Sequence, residues 1–150
     1  MHDKLKLLFL CTGNSCRSQM AEGWTRHLWS DQIETLSAGV VAKGLNPNAV
    51  AVMREAGVDI ASQQSRTMQE VIEHGFEPDV VITVCQHAHE NCPVFPAKAR
   101  IIHRGFDDPP HLAEFESDPE VAMNHYRRVR DEIRAFVETL PDALDHPGMK

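Results

Sequence analysis

The feature that most constrains this chain is a change of hydrophobic period near its start. Leu5-Lys6-Leu7-Leu8-Phe9-Leu10 is a short, nearly continuous apolar run, the pattern of a strand covered on both faces. Gly13 and Asn14, residue types that tolerate positive φ, break the run. From about Arg17 to Trp29 the spacing changes, and Met20, Ala21, Trp24 and Leu28 mark one face of a helix. Strand, tight loop and helix together open a βα unit.

The same alternation runs on through the chain. Glu34 to Ala38 reads as a second strand ending at Gly39. Asn46-Pro47 is a cap followed by proline at the first helical position, and Gly57 stops that helix. Thr67 with Glu70 forms a capping-box pattern for a short helix ending near Gly75. Asp79 to Val84 is the clearest strand, β-branched and largely apolar, and Arg100 to His103 is a shorter fourth. A last helix opens at Asp118-Pro119 and carries Ala122, Tyr126, Val129, Ile133, Phe136 and Leu140 on one stripe. Pro141 ends it, and the tail to Lys150 is expected to fray.

Four strands alternating with helices predict an α/β three-layer sandwich, a central four-stranded parallel sheet with helices on both sides. With neither internal repeat nor linker, residues 1–150 read as one domain. In such sheets, sites form beyond the carboxyl ends of the strands.

A formal net charge of −7 argues against a nucleic-acid footprint, so attraction for any anion must be local. No run approaches a membrane span, and the first residues lack a secretory pattern, so a cytoplasmic protein is expected. Cys11, Cys16, Cys85 and Cys92 are too few for a disulfide-stapled miniprotein, and in a reducing compartment they are catalytic, metal-binding or buried.

The loop after the first strand reads Cys11-Thr12-Gly13-Asn14-Ser15-Cys16-Arg17-Ser18. A loop wrapped at a helix N-terminus turns successive backbone N–H groups inward and makes a nest for a tetrahedral oxyanion. Residues Thr12 to Cys16 would supply that nest, and Arg17 adds a planar fork for two anion oxygens. The same positive surroundings favour the thiolate of Cys11. Ser18 would donate a hydrogen bond to that thiolate or to a leaving group. Cys16, with no evident partner, reads as a packing residue.

This string, preceded by Leu8-Phe9-Leu10 and followed by Gln19-Met20-Ala21-Glu22-Gly23, resembles the low-molecular-weight tyrosine phosphatase superfamily, and within it the thioredoxin-coupled arsenate reductases. The resemblance spans roughly residues 5 to 140. Two further segments are similar. Val84-Cys85-Gln86-His87-Ala88-His89-Glu90-Asn91-Cys92-Pro93 sets one cysteine at the end of the strongest strand and a second a short way on, a pair the phosphatases do not need. Gly105-Phe106-Asp107-Asp108-Pro109 looks like the family's general-acid loop, with Asp108 as the acid. Phosphatases of this fold carry tyrosines just beyond, whereas this chain has Pro110-His111-Leu112, which favours a small inorganic oxyanion.

The resemblance implies that Cys11 attacks arsenic while Asp108 protonates the departing oxygen. Cys85 then attacks Cys11 and releases arsenite, and Cys92 attacks Cys85 to leave a disulfide that thioredoxin reopens. If the strands bearing Cys11 and Cys85 are neighbours, their ends lie about 5 Å apart, within the Cα spacing a disulfide needs. Reaching Cys92 requires rearrangement, so residues 86 to 99 are expected to be the mobile part.

Other readings stay open. Cys85, His87, His89 and Cys92 have the ligand count of a zinc site but not its familiar spacing. Cys11 and Asp108 also suffice for phosphoester hydrolysis, and the loop alone would serve an oxyanion sensor. No cofactor is expected, and potassium is the one ion the resemblance raises, against an incomplete ligand set. The family binds that ion with an asparagine, a glutamate, a serine and an aspartate; Asn14, Glu22 and Ser37 match three, while Gln63 to Met68 holds no acid.

Overall fold

The computed structural model describes residues 4–85 and 99–145. Its strands are β1 (Leu5–Cys11), β2 (Ile33–Gly39), β3 (Val80–Thr83) and β4 (Arg100–His103). They form one sheet in the order β2-β1-β3-β4, every pairing parallel. The predicted parallel α/β sheet is therefore present, with β1 and β3 adjacent in its middle. Leu7 to Leu10 and Val80 to Thr83 are buried throughout, which is why these two strands read as continuous apolar runs rather than as alternating ones.

The helices are α1 (Arg17–Trp29), α2 (Pro47–Glu55), α3 (Met68–Glu73), α4 (Pro109–Ala113) and α5 (Pro119–Glu138). The expected caps are in place. Asn46 Oδ1 accepts from the Asn48 and Ala49 amides, Asp118 accepts from Glu120, and Thr67 with Glu70 closes a reciprocal capping box. Because β2 returns across β1 to β3, the connection carrying α3 must run over the sheet face opposite α1 if both crossovers are right-handed. No helix among the described residues is long and apolar enough to cross a membrane.

Helices α1 and α5 are fastened together by two indoles. Trp24 Nε1 donates to the Arg130 carbonyl at 3.2 Å and Trp29 Nε1 to the Val137 carbonyl at 2.8 Å. Trp24 is fully buried, with the Arg134 guanidinium 5.0 Å from its ring centre.

Two expectations are revised. Gly105 to Asp108 stays irregular, as expected of the loop. Its last residue, Pro109, opens the short α4, which the sequence reading did not foresee; proline is well tolerated in a first helical turn. The tail does not fray directly after Pro141: Asp142–Asp145 forms a 3₁₀ turn, Leu144 is buried, and its carbonyl accepts from Arg100 Nη1.

Replacing Trp24 tests the seam between α1 and α5. Trp24→Ala is expected to cost about 3–5 kcal/mol, and Trp24→Phe, which keeps most of the ring but loses the N–H, about 1–2 kcal/mol. Urea unfolding with an unchanged m value is the measurement.

Candidate active site

Where β1 runs out, the chain turns through Thr12–Cys16 into α1, and a strap at residues 40–46 follows that turn step for step. The amides of Val40, Val41, Lys43 and Asn46 donate to the carbonyls of Cys11, Thr12, Gly13 and Ser15. A planar trans peptide sets each N–H opposite the preceding C=O. The N–H groups of Thr12, Gly13, Asn14 and Cys16 are thereby turned away from the strap. A cavity of about 300 Å³ lies at this turn, lined by Thr12, Gly13, Cys16, Cys11, Arg17 and Asp108 among others.

Asn14 holds the turn. It is fully buried at φ +47°, in the left-handed region that asparagine tolerates better than most residues. Its Oδ1 accepts from the Arg66 amide at 2.7 Å and from Gln19 Nε2 at 3.2 Å. A flipped amide would set NH₂ against a backbone N–H, so the orientation is determined. Nδ2 then donates to Ser18 Oγ and Ser37 Oγ, both at 2.9 Å. Each serine hydroxyl, having accepted, has its own hydrogen to give. Ser37 gives it to Glu22 Oε1 at 2.6 Å, and Ser18 is left facing Cys11 Sγ at 2.8 Å. The nucleophile candidate thus lies within hydrogen-bond distance of a hydroxyl that already accepts from Asn14.

Arg17 and Asp108 stand together across the cavity. Arg17 Nη1 donates to the Phe106 carbonyl at 3.1 Å, and its Nη2 lies 3.7 Å from Asp108 Oδ1. The neighbouring Asp107 is drawn off to Arg128 at 2.9 Å, so only Asp108 of the two lines the cavity. Cys85 is buried just past β3, and its Sγ lies 3.2 Å from Thr12 Oγ1. The register pairs Leu10 with Thr83, so the two cysteines sit at the same end of adjacent strands. Cys92, His87, His89 and most of the segment expected to move lie outside the described residues. Among the described residues no cluster of His, Cys, Asp or Glu is arranged to hold a metal.

Burial, reinforced by the nearby Cys11 sulfur, pushes the Cys16 thiol well above the ordinary thiol range. It stays protonated, in keeping with a packing residue.

Asn14, Glu22 and Ser37 do come together, but they do not fit a potassium ion. The Asn14 oxygen and one Glu22 oxygen are already engaged, and the other Glu22 oxygen takes the Arg26 guanidinium at 2.6 Å. Arg26 also donates to Gln63 at 2.8 Å. A fixed positive charge therefore already faces the Glu22 carboxylate.

Sequence reasoning missed Gly39. A Cβ there would fall 2.4 Å from the Val41 carbonyl oxygen, 2.6 Å from the Asn14 nitrogen and 2.8 Å from the Thr12 oxygen. All three are backbone atoms, so the anion loop rests directly on this glycine. Its place as the last residue of a strand, where such sheets build their sites, was the available signal.

A low-molecular-weight phosphotyrosine protein phosphatase family model matches residues 6–148, and the chain belongs to that family. A relative named arsenate reductase from Bacillus licheniformis is 48% identical over 140 residues, covering 91% of this chain and 97% of its own length. A solved arsenate reductase in the reduced state superposes with a TM-score of 0.68 at 30% identity, covering 94% of this chain and 99% of that one. A tyrosine phosphatase from Erwinia amylovora has a TM-score of 0.73 at 16% identity, covering 96% and 95%, which shows the shared fold alone.

Two measurements test this geometry. Gly39→Ala is expected to weaken inorganic phosphate binding by on the order of 100-fold, because the displaced loop misaims its donors, with a fall in melting temperature. Iodoacetamide at neutral pH is expected to leave Cys16 unmodified in the native protein and to modify it after unfolding, read by peptide mass spectrometry.

Proposed function

We propose that this protein reduces arsenate to arsenite through a relay of three cysteines, Cys11, Cys85 and Cys92. Supporting it above all is the sulfur of Cys85, held beside Thr12 just past the strand next to that of Cys11. Phosphoester hydrolysis has no use for a second thiol there; a two-electron reduction does.

In this reading the oxyanion lies in the Thr12–Cys16 nest with Arg17 across two of its oxygens. Cys11 forms a sulfur–arsenic bond as one arsenic–oxygen bond breaks, and Asp108 gives the departing oxygen its proton. Ser18 steadies the Cys11 thiolate from 2.8 Å. Cys85 then bonds to Cys11 Sγ. The electron pair of the sulfur–arsenic bond passes to arsenic, which leaves as arsenite, so two thiols have become one disulfide. Cys92 attacks Cys85 in turn, expels Cys11 as thiolate, and leaves a Cys85–Cys92 disulfide.

Thioredoxin is the proposed external dithiol that reopens it, and a reducing, cytoplasmic setting suits such a cycle. The electrons come from thiols, so the reaction calls for no bound cofactor. The described lining of the cavity contains no aromatic side chain, which supports an inorganic oxyanion over a phosphotyrosine.

Hydrolysis of small phosphoesters should persist as a side activity, because Cys11, Arg17 and Asp108 are its parts too. Cys85→Ser and Cys92→Ser are therefore expected to abolish multiple-turnover arsenite formation while leaving p-nitrophenyl phosphate hydrolysis. Trapping after arsenate exposure should give Cys11–Cys85 in the Cys92 variant by mass spectrometry. Undiminished arsenite production by either variant would overturn the relay and leave a phosphatase.

A further inference from the structure

We infer that Lys43 is a specificity-determining residue, supplying the second positive charge by which the cavity captures a dianionic tetrahedral oxyanion; this rests on the oxyanion site proposed above. Lys43 lines the same cavity as Cys11, Arg17 and Asp108. No carboxylate among the described residues lies within ion-pair distance of it.

Charge balance makes the case. Arg17 is the obvious anion receptor, yet its guanidinium already faces Asp108 at 3.7 Å and donates to the Phe106 carbonyl. Cys11 attacks as a thiolate in the proposed chemistry, and a dianionic oxyanion brings two further negative charges to a chain of net charge −7. Lys43 is a second positive charge beside Arg17 in the described lining, and it adds a local attraction to that of the oriented amides of the loop.

Placement of the residue is built rather than incidental. Its amide donates to the Gly13 carbonyl at 2.9 Å, the Asn46 amide to Ser15 at 3.0 Å, and the Gly44 amide to Ser65 Oγ at 3.1 Å. Asn46 is held in turn by its cap bonds and by Tyr126. The aliphatic stem then crosses the loop where Gly13 has no side chain: a Cβ on Gly13 would meet Lys43 Cδ at 2.9 Å and Cγ at 3.1 Å. The stem is thus seated on the anion loop, and the residue it belongs to lines the cavity.

The test compares wild type with Lys43→Met, which keeps the stem, and Lys43→Arg, which keeps the charge. Lys43→Met is expected to raise KM for arsenate and the dissociation constant for inorganic phosphate by about two- to fivefold, the range for one exposed charge. The value of kcat should stay within about twofold. The decline of kcat/KM with added salt should flatten in the Met variant and return with Lys43→Arg. Unchanged KM and phosphate affinity in Lys43→Met would overturn the inference, as would equal losses in the Arg and Met variants, which would mark a structural strap. Should wild type form no arsenite, the proposed activity fails by itself, and phosphate calorimetry on the same variants still decides the role of Lys43.

Discussion

Everything at this site depends on one buried amide. Asn14 occupies a backbone conformation that costs an ordinary residue on the order of 1 kcal/mol or more. Its side chain offsets that cost by satisfying the Arg66 amide and two serine hydroxyls. The consequence is directional. Fixing which end of the amide donates makes acceptors of the Ser18 and Ser37 hydroxyls, and leaves the hydrogen of Ser18 free to turn to Cys11. Backbone shape and thiol chemistry are set by the same four atoms of side chain.

The strap at 40–46 completes what Asn14 begins. By taking up the carbonyls of Cys11, Thr12, Gly13 and Ser15, it commits the opposite faces of those peptides to the cavity side. Gly39 is where strap, loop and strand converge, which is why only a residue without a side chain fits. A protein of strongly negative net charge can thus hold an anion without a basic surface: partial charges from oriented amides act at contact distance, where long-range repulsion matters little.

Much of this was legible from residue order, and the parts that were not share a cause. β1 and β3 were readable because burial on both faces leaves an uninterrupted apolar run, and the capped helices because Asn46, Thr67 and Asp118 act on amides two or three residues away. The Cys11–Ser18 loop was readable because its parts are contiguous. Gly39 and Lys43 escaped because each acts on a residue distant in sequence, and periodicity carries no information about such approaches; Arg26, four residues after Glu22 on the same helix, could have been read from the spacing. Helix α4 was missed for a different reason: five residues beginning with two prolines look like a loop when no hydrophobic period can develop. Choosing Asp108 over Asp107 rested on resemblance, and only the Arg128 pairing of Asp107 gives it a physical ground.

The distance between a phosphatase and a reductase on this scaffold is short, and the sheet explains why. A parallel sheet brings the ends of all its strands to one edge, so any residue placed just past β3 arrives beside the loop that follows β1. Adding a thiol there needs no new fold and leaves the anion nest, Arg17 and Asp108 untouched. What changes is the fate of the covalent intermediate. With water as the only nucleophile in reach, a cysteinyl adduct is hydrolysed with no change in oxidation state. With sulfur nearer, the adduct breaks at the sulfur–arsenic bond and the electrons stay on arsenic. The proposed relay rests on that competition, with the sulfur of Cys85, 3.2 Å from Thr12 Oγ1, as the nucleophile that would rival water.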